Sequence, residues 1–153
     1  MEKKELLRQL DETHQRSLTL LRDVDPMQLI YEESGWRIKD IVAHVATWDA
    51  ETLRSFHAFR RGGAYSIPNY QGVDDFNAYA ASMRMDEPFA QIMEDWDATR
   101  RWLAIILNAM SEDDFSVEMT YPSGRRGLPR QLAQEIFEHE AEHMEHIRLA
   151  VNP

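Results

Sequence analysis

Three histidines near the end of the chain share one helical stripe. They lie in His139-Glu140-Ala141-Glu142-His143 and its continuation to His146. Successive residues of an α-helix turn by about 100°, so offsets of four and seven bring His143 and His146 within about 40° of His139. Neutral imidazoles one turn apart can grip one divalent ion, and zinc, nickel, copper and iron all accept them. The stripe formed by Leu132, Ile136, His139, His143, Ile147 and Ala150 is otherwise apolar and predicts an inward face. Imidazoles buried there without partners cost several kcal/mol, which a metal or a hydrogen-bond network would offset.

The same residues spell H-E-x-x-H, the pattern of zinc peptidases. That chemistry needs a third ligand downstream, at a spacing that residues 144–153 do not offer. It also commonly uses an edge strand to hold the peptide, and this chain is mostly helix by pattern. A di-iron carboxylate bundle needs Glu-x-x-His from two helices. Glu140 and His143 supply one such pair and the second helical stretch supplies no other. A mononuclear site with a third ligand from upstream is the better reading. His44, in the apolar setting Ile41-Val42-Ala43-His44-Val45, is the leading candidate. Taken alone, such a histidine is more often a satisfied core residue. Asp40 and Glu51 lie near its stripe as acceptors that could orient an imidazole. His14 and His57 are weaker candidates.

Four long amphipathic stretches must position these groups. Apolar residues recur at three- and four-residue steps over about Lys3–Val24, Arg37–Arg61, Pro88–Ala109 and Pro129–Val151. Asp25-Pro26 ends the first, Gly62-Gly63 stops the second, and Pro88 and Pro129 suit first helical turns. Residues 64–72 read as a loop, with a short helix at Asp74–Met83 after it. Ser111–Asp114 reads as a capped single turn, and Ser116–Tyr121 alternates enough for a short strand. The sum is an all-α fold, a four-helix bundle with long connections after its second and third helices, forming one domain over residues 1–153.

Composition sets the surroundings. The chain has 153 residues, 43% hydrophobic and 29% charged, and carries a formal charge of -10. That acidity argues against nucleic acid and anionic membranes as partners. There is no cysteine, which excludes disulfides, thiolate metal sites and a thiol nucleophile from the protein itself. The start lacks a signal-peptide pattern and no apolar run approaches spanning length, so a cytoplasmic protein acting on a small molecule is expected.

The run Gly35-Trp36-Arg37-Ile38-Lys39-Asp40-Ile41-Val42-Ala43-His44-Val45-Ala46-Thr47-Trp48-Asp49 resembles the second-helix signature of the DinB/YfiT-like superfamily. His139-x-x-x-His143 followed by Ile147 is similar to that family's last-helix motif. The resemblance spans essentially the whole chain. It implies a four-helix bundle, often a homodimer, with one divalent metal (Zn, Ni, Fe or Mn) held by His44, His139 and His143. It also implies a metal-dependent transferase or isomerase using an exogenous low-molecular-weight thiol, or a hydrolase. The alternative is a non-catalytic bundle that binds or sequesters a small molecule, its metal structural or absent. Two departures from the family pattern matter. Arg37 replaces a small hydroxyl residue that would cap the second helix, and Glu145-His146 replace Gly-Gln. His146 thus becomes a fourth ligand or a proton carrier, alongside Glu140 and Glu51 as proton carriers. Tyr65, Tyr70, Arg60 and Arg61 could shape a pocket mouth.

Overall fold

The computed structural model describes residues 1–153, which form five α-helices and two small hairpins. The helices are α1 (Lys3–Leu21), α2 (Ile38–Arg60), α3 (Val73–Arg84), α4 (Phe89–Ala109) and α5 (Pro129–Val151). α1 packs on α5 and α4, and α2 packs on α4, α5 and α3. The four long helices thus bring their apolar stripes together, while α3 covers one flank of α2 and buries no residue fully. The fold is mostly helical, as the periodicity predicts, and the short helix expected at Asp74–Met83 is present as α3.

Two apolar clusters divide the interior. One joins Leu6, Leu10, Phe56, Leu103 and Leu107 to Leu132, Ile136 and Phe137. The other joins Leu21, Ile38, Ile41, Val45 and Trp96 to Met144 and Ile147. Between them lies a buried polar layer, described below.

Both hairpins fall in connections. β1 (Leu29–Tyr31) pairs antiparallel with β2 (Trp36–Arg37), and Gly35 takes φ 76°, a left-handed turn position that favours glycine. β3 (Met119–Thr120) pairs antiparallel with β4 (Arg126–Gly127). A Cβ at Gly127 would stand 2.4 Å from the Tyr121 hydroxyl, so a larger residue there must displace that ring and its bond to the Leu128 carbonyl. The strand expected over Ser116–Tyr121 is confined to Met119–Thr120, and the turn before it is a 3-10 helix at Asp113–Ser116. The first hairpin is absent from the periodicity reading, since three-residue and two-residue strands are too short to establish a period of two.

Helix α2 starts without its small hydroxyl cap. Asp40 compensates from the first turn, its carboxylate accepting the Arg37 backbone N–H at 2.8 Å, half of a capping box. The Arg37 guanidinium instead donates to the Met27 carbonyl at 2.6 Å. Asp40 therefore serves the helix end and does not orient His44.

Candidate metal and ligand site

His44 on α2 meets His139 and His143 on α5, where the two helices pack. His44 Nε2 lies 2.9 Å from His139 Nε2, and His143 Nε2 lies 3.1 Å from the same atom. One ligand nitrogen from each of the three falls within 4.8 Å of the others, so this group could hold a metal ion. Bonds of about 2.1 Å at tetrahedral angles separate ligand nitrogens by about 3.4 Å, close to these contacts. The chemistry of the donors also fits. A ligand imidazole must be neutral, and burial first, with the neighbouring imidazoles second, draws His44 down to about 3. The same causes draw His143 down to about 4, and burial lowers His139. A tautomer with its proton on His139 Nε2 can donate to these neighbours, and an ion would give all three nitrogens one shared partner.

Tyr31, from the first hairpin, orients this group. Its hydroxyl lies 2.7 Å from His143 Nδ1 and 2.6 Å from His146 Nδ1. With His143 Nε2 turned to the cluster, its Nδ1–H donates to the Tyr31 oxygen, whose own O–H is left for His146. His146 is exposed and reaches the cluster through Tyr31; its Nδ1 points to the hydroxyl. The residue types of Tyr31 and Trp36 flank the turn Glu32-Glu33-Ser34-Gly35, and that hairpin signal could have located Tyr31 in the sequence.

Glu140 faces the other way. It is 0% exposed and pairs with Arg100, while its second oxygen lies 3.4 Å from His14 Nδ1. Arg100 also donates to Asp49 at 2.9 Å, as does the Trp96 indole N–H at 2.9 Å. His14 closes the set with Nε2 3.0 Å from Asp97. Burial pushes the Glu140 carboxyl up, but the His14 hydrogen bond and the Arg100 charge outweigh it and hold it below the ordinary range. Burial raises Asp49, with Arg100 opposing. Glu140, expected as a proton carrier, is thus a core group engaged by two partners. Glu51 accepts the Tyr65 hydroxyl and does not orient an imidazole.

A cavity of about 650 Å³ opens beside the imidazoles. Trp36, Trp48, Tyr70 and Tyr121 line it, with Glu138 and Glu142 from α5 and Arg125 from the second hairpin. Of the expected mouth residues only Tyr70 is there. Arg60 donates to the Ala109 carbonyl, Tyr65 is held by Glu51, and neither they nor Arg61 line the cavity. His57 is exposed near the end of α2, and His14 belongs to the buried layer.

Comparison with known proteins completes the description. No curated protein matches the chain. A solved structure of an uncharacterised protein from Escherichia coli UTI89 superposes with a TM-score of 0.79 at 13% identity, covering 97% of this chain and 91% of that one. The colibactin self-resistance protein ClbS, solved in complex with a dsDNA, superposes with a TM-score of 0.79 at 10% identity, covering 99% and 96%. At such identities the likeness is one of fold. Two expectations are corrected by ClbS. The fold is at work in a self-resistance protein, so a metal-dependent transferase or hydrolase does not follow from it, and the engaged Glu140 offers this chain no free carboxylate for that chemistry. The exclusion of nucleic acid also fails: a protein of this fold sits with duplex DNA, and net charge is a whole-chain sum that does not rule on a local contact. No helix is long and apolar enough to cross a membrane. The model of the DinB superfamily matches residues 9–147, and the chain belongs to that superfamily.

Proposed function

We propose that this protein is a small-molecule-binding bundle that sequesters its ligand in the cavity beside His44, His139 and His143. The observation that carries the reading is the cavity itself. Its volume of about 650 Å³ falls in the range that encloses a drug-sized molecule, and aromatic walls meet a few polar groups there. Binding by such a surface needs no proton donor, which accords with a Glu140 held in the core. The self-resistance role of ClbS is consistent with capture of a harmful small molecule.

In this reading His44, His139 and His143 hold a structural divalent ion, oriented by Tyr31, and the four long helices act as one bundle around it. When bound, the ion supplies a fixed double charge at the cavity floor. Trp102 and Ile105 stand exposed three residues apart on α4 and supply the face through which two copies would pair. The expected setting is cytoplasmic.

The test is a thermal-shift screen of small molecules against the purified protein, with each hit recovered and weighed by mass spectrometry. A ligand at 100 times its Kd stabilises the folded state by about 2.7 kcal/mol, which is readily seen. Hits recovered unchanged support sequestration. Hits recovered chemically altered, or none in a broad library, would overturn it. A DNA duplex belongs in the same screen because ClbS was solved with one.

A further inference from the structure

We infer that α3 is a lid over the cavity, latched to the bundle at Trp48 and released there to admit a ligand. The inference rests on the sequestering function proposed above, because a captured molecule is retained longer when a wall closes behind it. Tyr70, Val73 and Asn77 bring the approach to α3 and its first turns into the cavity lining.

What holds this wall is slight. The face that α3 turns to the bundle presents Phe76, Asn77, Ala80 and Ala81, none of them fully buried. Two alanines on that face leave little apolar area to hold it. From residue 68 to residue 83 the polar ties to the bundle run through Asn77. Its Oδ1 accepts the Trp48 indole N–H at 2.7 Å, and its amide stands beside the His44 ring. The aromatic contacts converge on the same indole. Trp48 meets Phe76 at 4.9 Å and Tyr70 at 6.4 Å between ring centroids, both edge to face. A helix of 12 residues is too short to persist alone in water, so α3 depends on this hold for its own shape.

The ends of the segment are fastened more firmly. Before it, Ser55 donates to the Tyr65 carbonyl at 3.2 Å, and the Ile67 N–H donates to the Pro122 carbonyl at 2.8 Å. After it, Arg84 pairs with Glu87 at 2.9 Å and donates to Thr47 Oγ1 at 3.3 Å. Lys39 adds a bond to the Met85 carbonyl at 2.9 Å. Two anchored ends with a lightly held middle make a flap whose latch is Trp48. That indole also lines the cavity, so a molecule stacked on it acts on the latch directly.

Hydrogen–deuterium exchange, read by peptide on the protein as purified, tests the lid without any ligand. Once released from α2, α3 melts, so its amides report the opening. Residues 73–84 should exchange at least about tenfold faster than residues 136–147 of α5, which pack into both apolar clusters. Trp48→Phe keeps a ring but loses the donor. It should speed exchange of residues 73–84 about threefold to tenfold, the worth of one hydrogen bond, and leave α5 unchanged. Asn77→Val, close to Asn in helix propensity, removes the acceptor and should do the same. The double variant should add little to either single one, since all three lack the same bond. The inference is overturned if residues 73–84 are as protected as α5, or if either variant leaves them unchanged. It is also overturned if the double variant sums both effects, or if α5 speeds up equally, which marks a general loss of stability. A rigid α3 removes the lid alone; a failed ligand screen beside a mobile α3 removes the function and leaves the motion.

Discussion

His139 and Glu140 are neighbours in sequence and belong to opposite kinds of site. On one side of α5, three imidazoles and Tyr31 form a group whose ring nitrogens converge and whose outer face meets a cavity. On the other, Arg100, Asp49, Glu140, His14 and Asp97 form a group in which each charge meets an opposite or hydrogen-bonding partner. No buried side-chain nitrogen or oxygen in the protein lacks a partner. The difference teaches how to assign polar residues inside a helical fold. A closed network holds helices in register, while a set of like groups facing one another offers a ready site to a shared partner.

The largest effect should come from breaking the closed group. Arg100→Met leaves Asp49 and Glu140 buried without their cation, and such losses cost about 3–5 kcal/mol. For a chain of this size that lowers the melting temperature by on the order of 10 °C. Arg100→Lys should fall between, since one ammonium cannot reproduce the two-sided fork. Calorimetry decides: a Met variant as stable as the parent would mean that the layer is not the register device described here.

The open group should respond in the opposite way. His44→Ala/His143→Ala should cost the metal-free protein little, yet abolish the melting-temperature rise on adding zinc and the near-stoichiometric metal found by elemental analysis. Metal retained by the double variant would place the ion elsewhere. Tyr31→Phe is the finer cut. It removes the hydroxyl that receives His143 Nδ1–H, and loss of such an orienting partner typically weakens metal binding about 10- to 100-fold. A competition titration against a chelator measures it. Unchanged affinity would make the Tyr31 contact incidental.

Sequence carried one of these regions better than the other. His44, His139 and His143 were legible because helical spacing alone places two of them together, and an imidazole on the apolar α2 stripe needs a partner. The long helices were legible for the same reason, since a period near 3.6 is repeated many times in each. Glu140 was not. Its offset from the apolar stripe suggests solvent, but α1 and α4 cover that flank and deliver Arg100 and His14 to it. That pairing joins residues 40 and 126 positions apart, which no local pattern encodes. Tyr31 was missed because it stands on a three-residue strand, and Tyr121 and Asn77 because they lie on elements that matter through where they fold back.

The smallest expected effect concerns acid, and it separates the two regions by range. In the unfolded chain both histidines titrate near 6.5. In the metal-free folded protein burial and mutual repulsion hold His44 near 3 and His143 near 4. Above about pH 6.5 neither state is protonated and stability is at its full value. As pH falls below that, the unfolded chain binds protons that the folded one refuses, so stability declines until the folded values are reached. Glu140, lowered by His14 and Arg100 against the pull of burial, acts in the same direction but only at a more acidic pH, below the ordinary carboxylate value. Chelator-treated protein should therefore lose urea resistance steadily between pH 6.5 and 4.5, while His44→Gln/His143→Gln should hold a flatter course over that span. Zinc should oppose the loss at pH 6.5 and fail to do so near pH 4.5, where protons compete for the same nitrogens. Equal slopes for parent and variant would show that His44 and His143 do not carry the acid sensitivity, and the division between an open group and a closed one would lose its electrostatic basis.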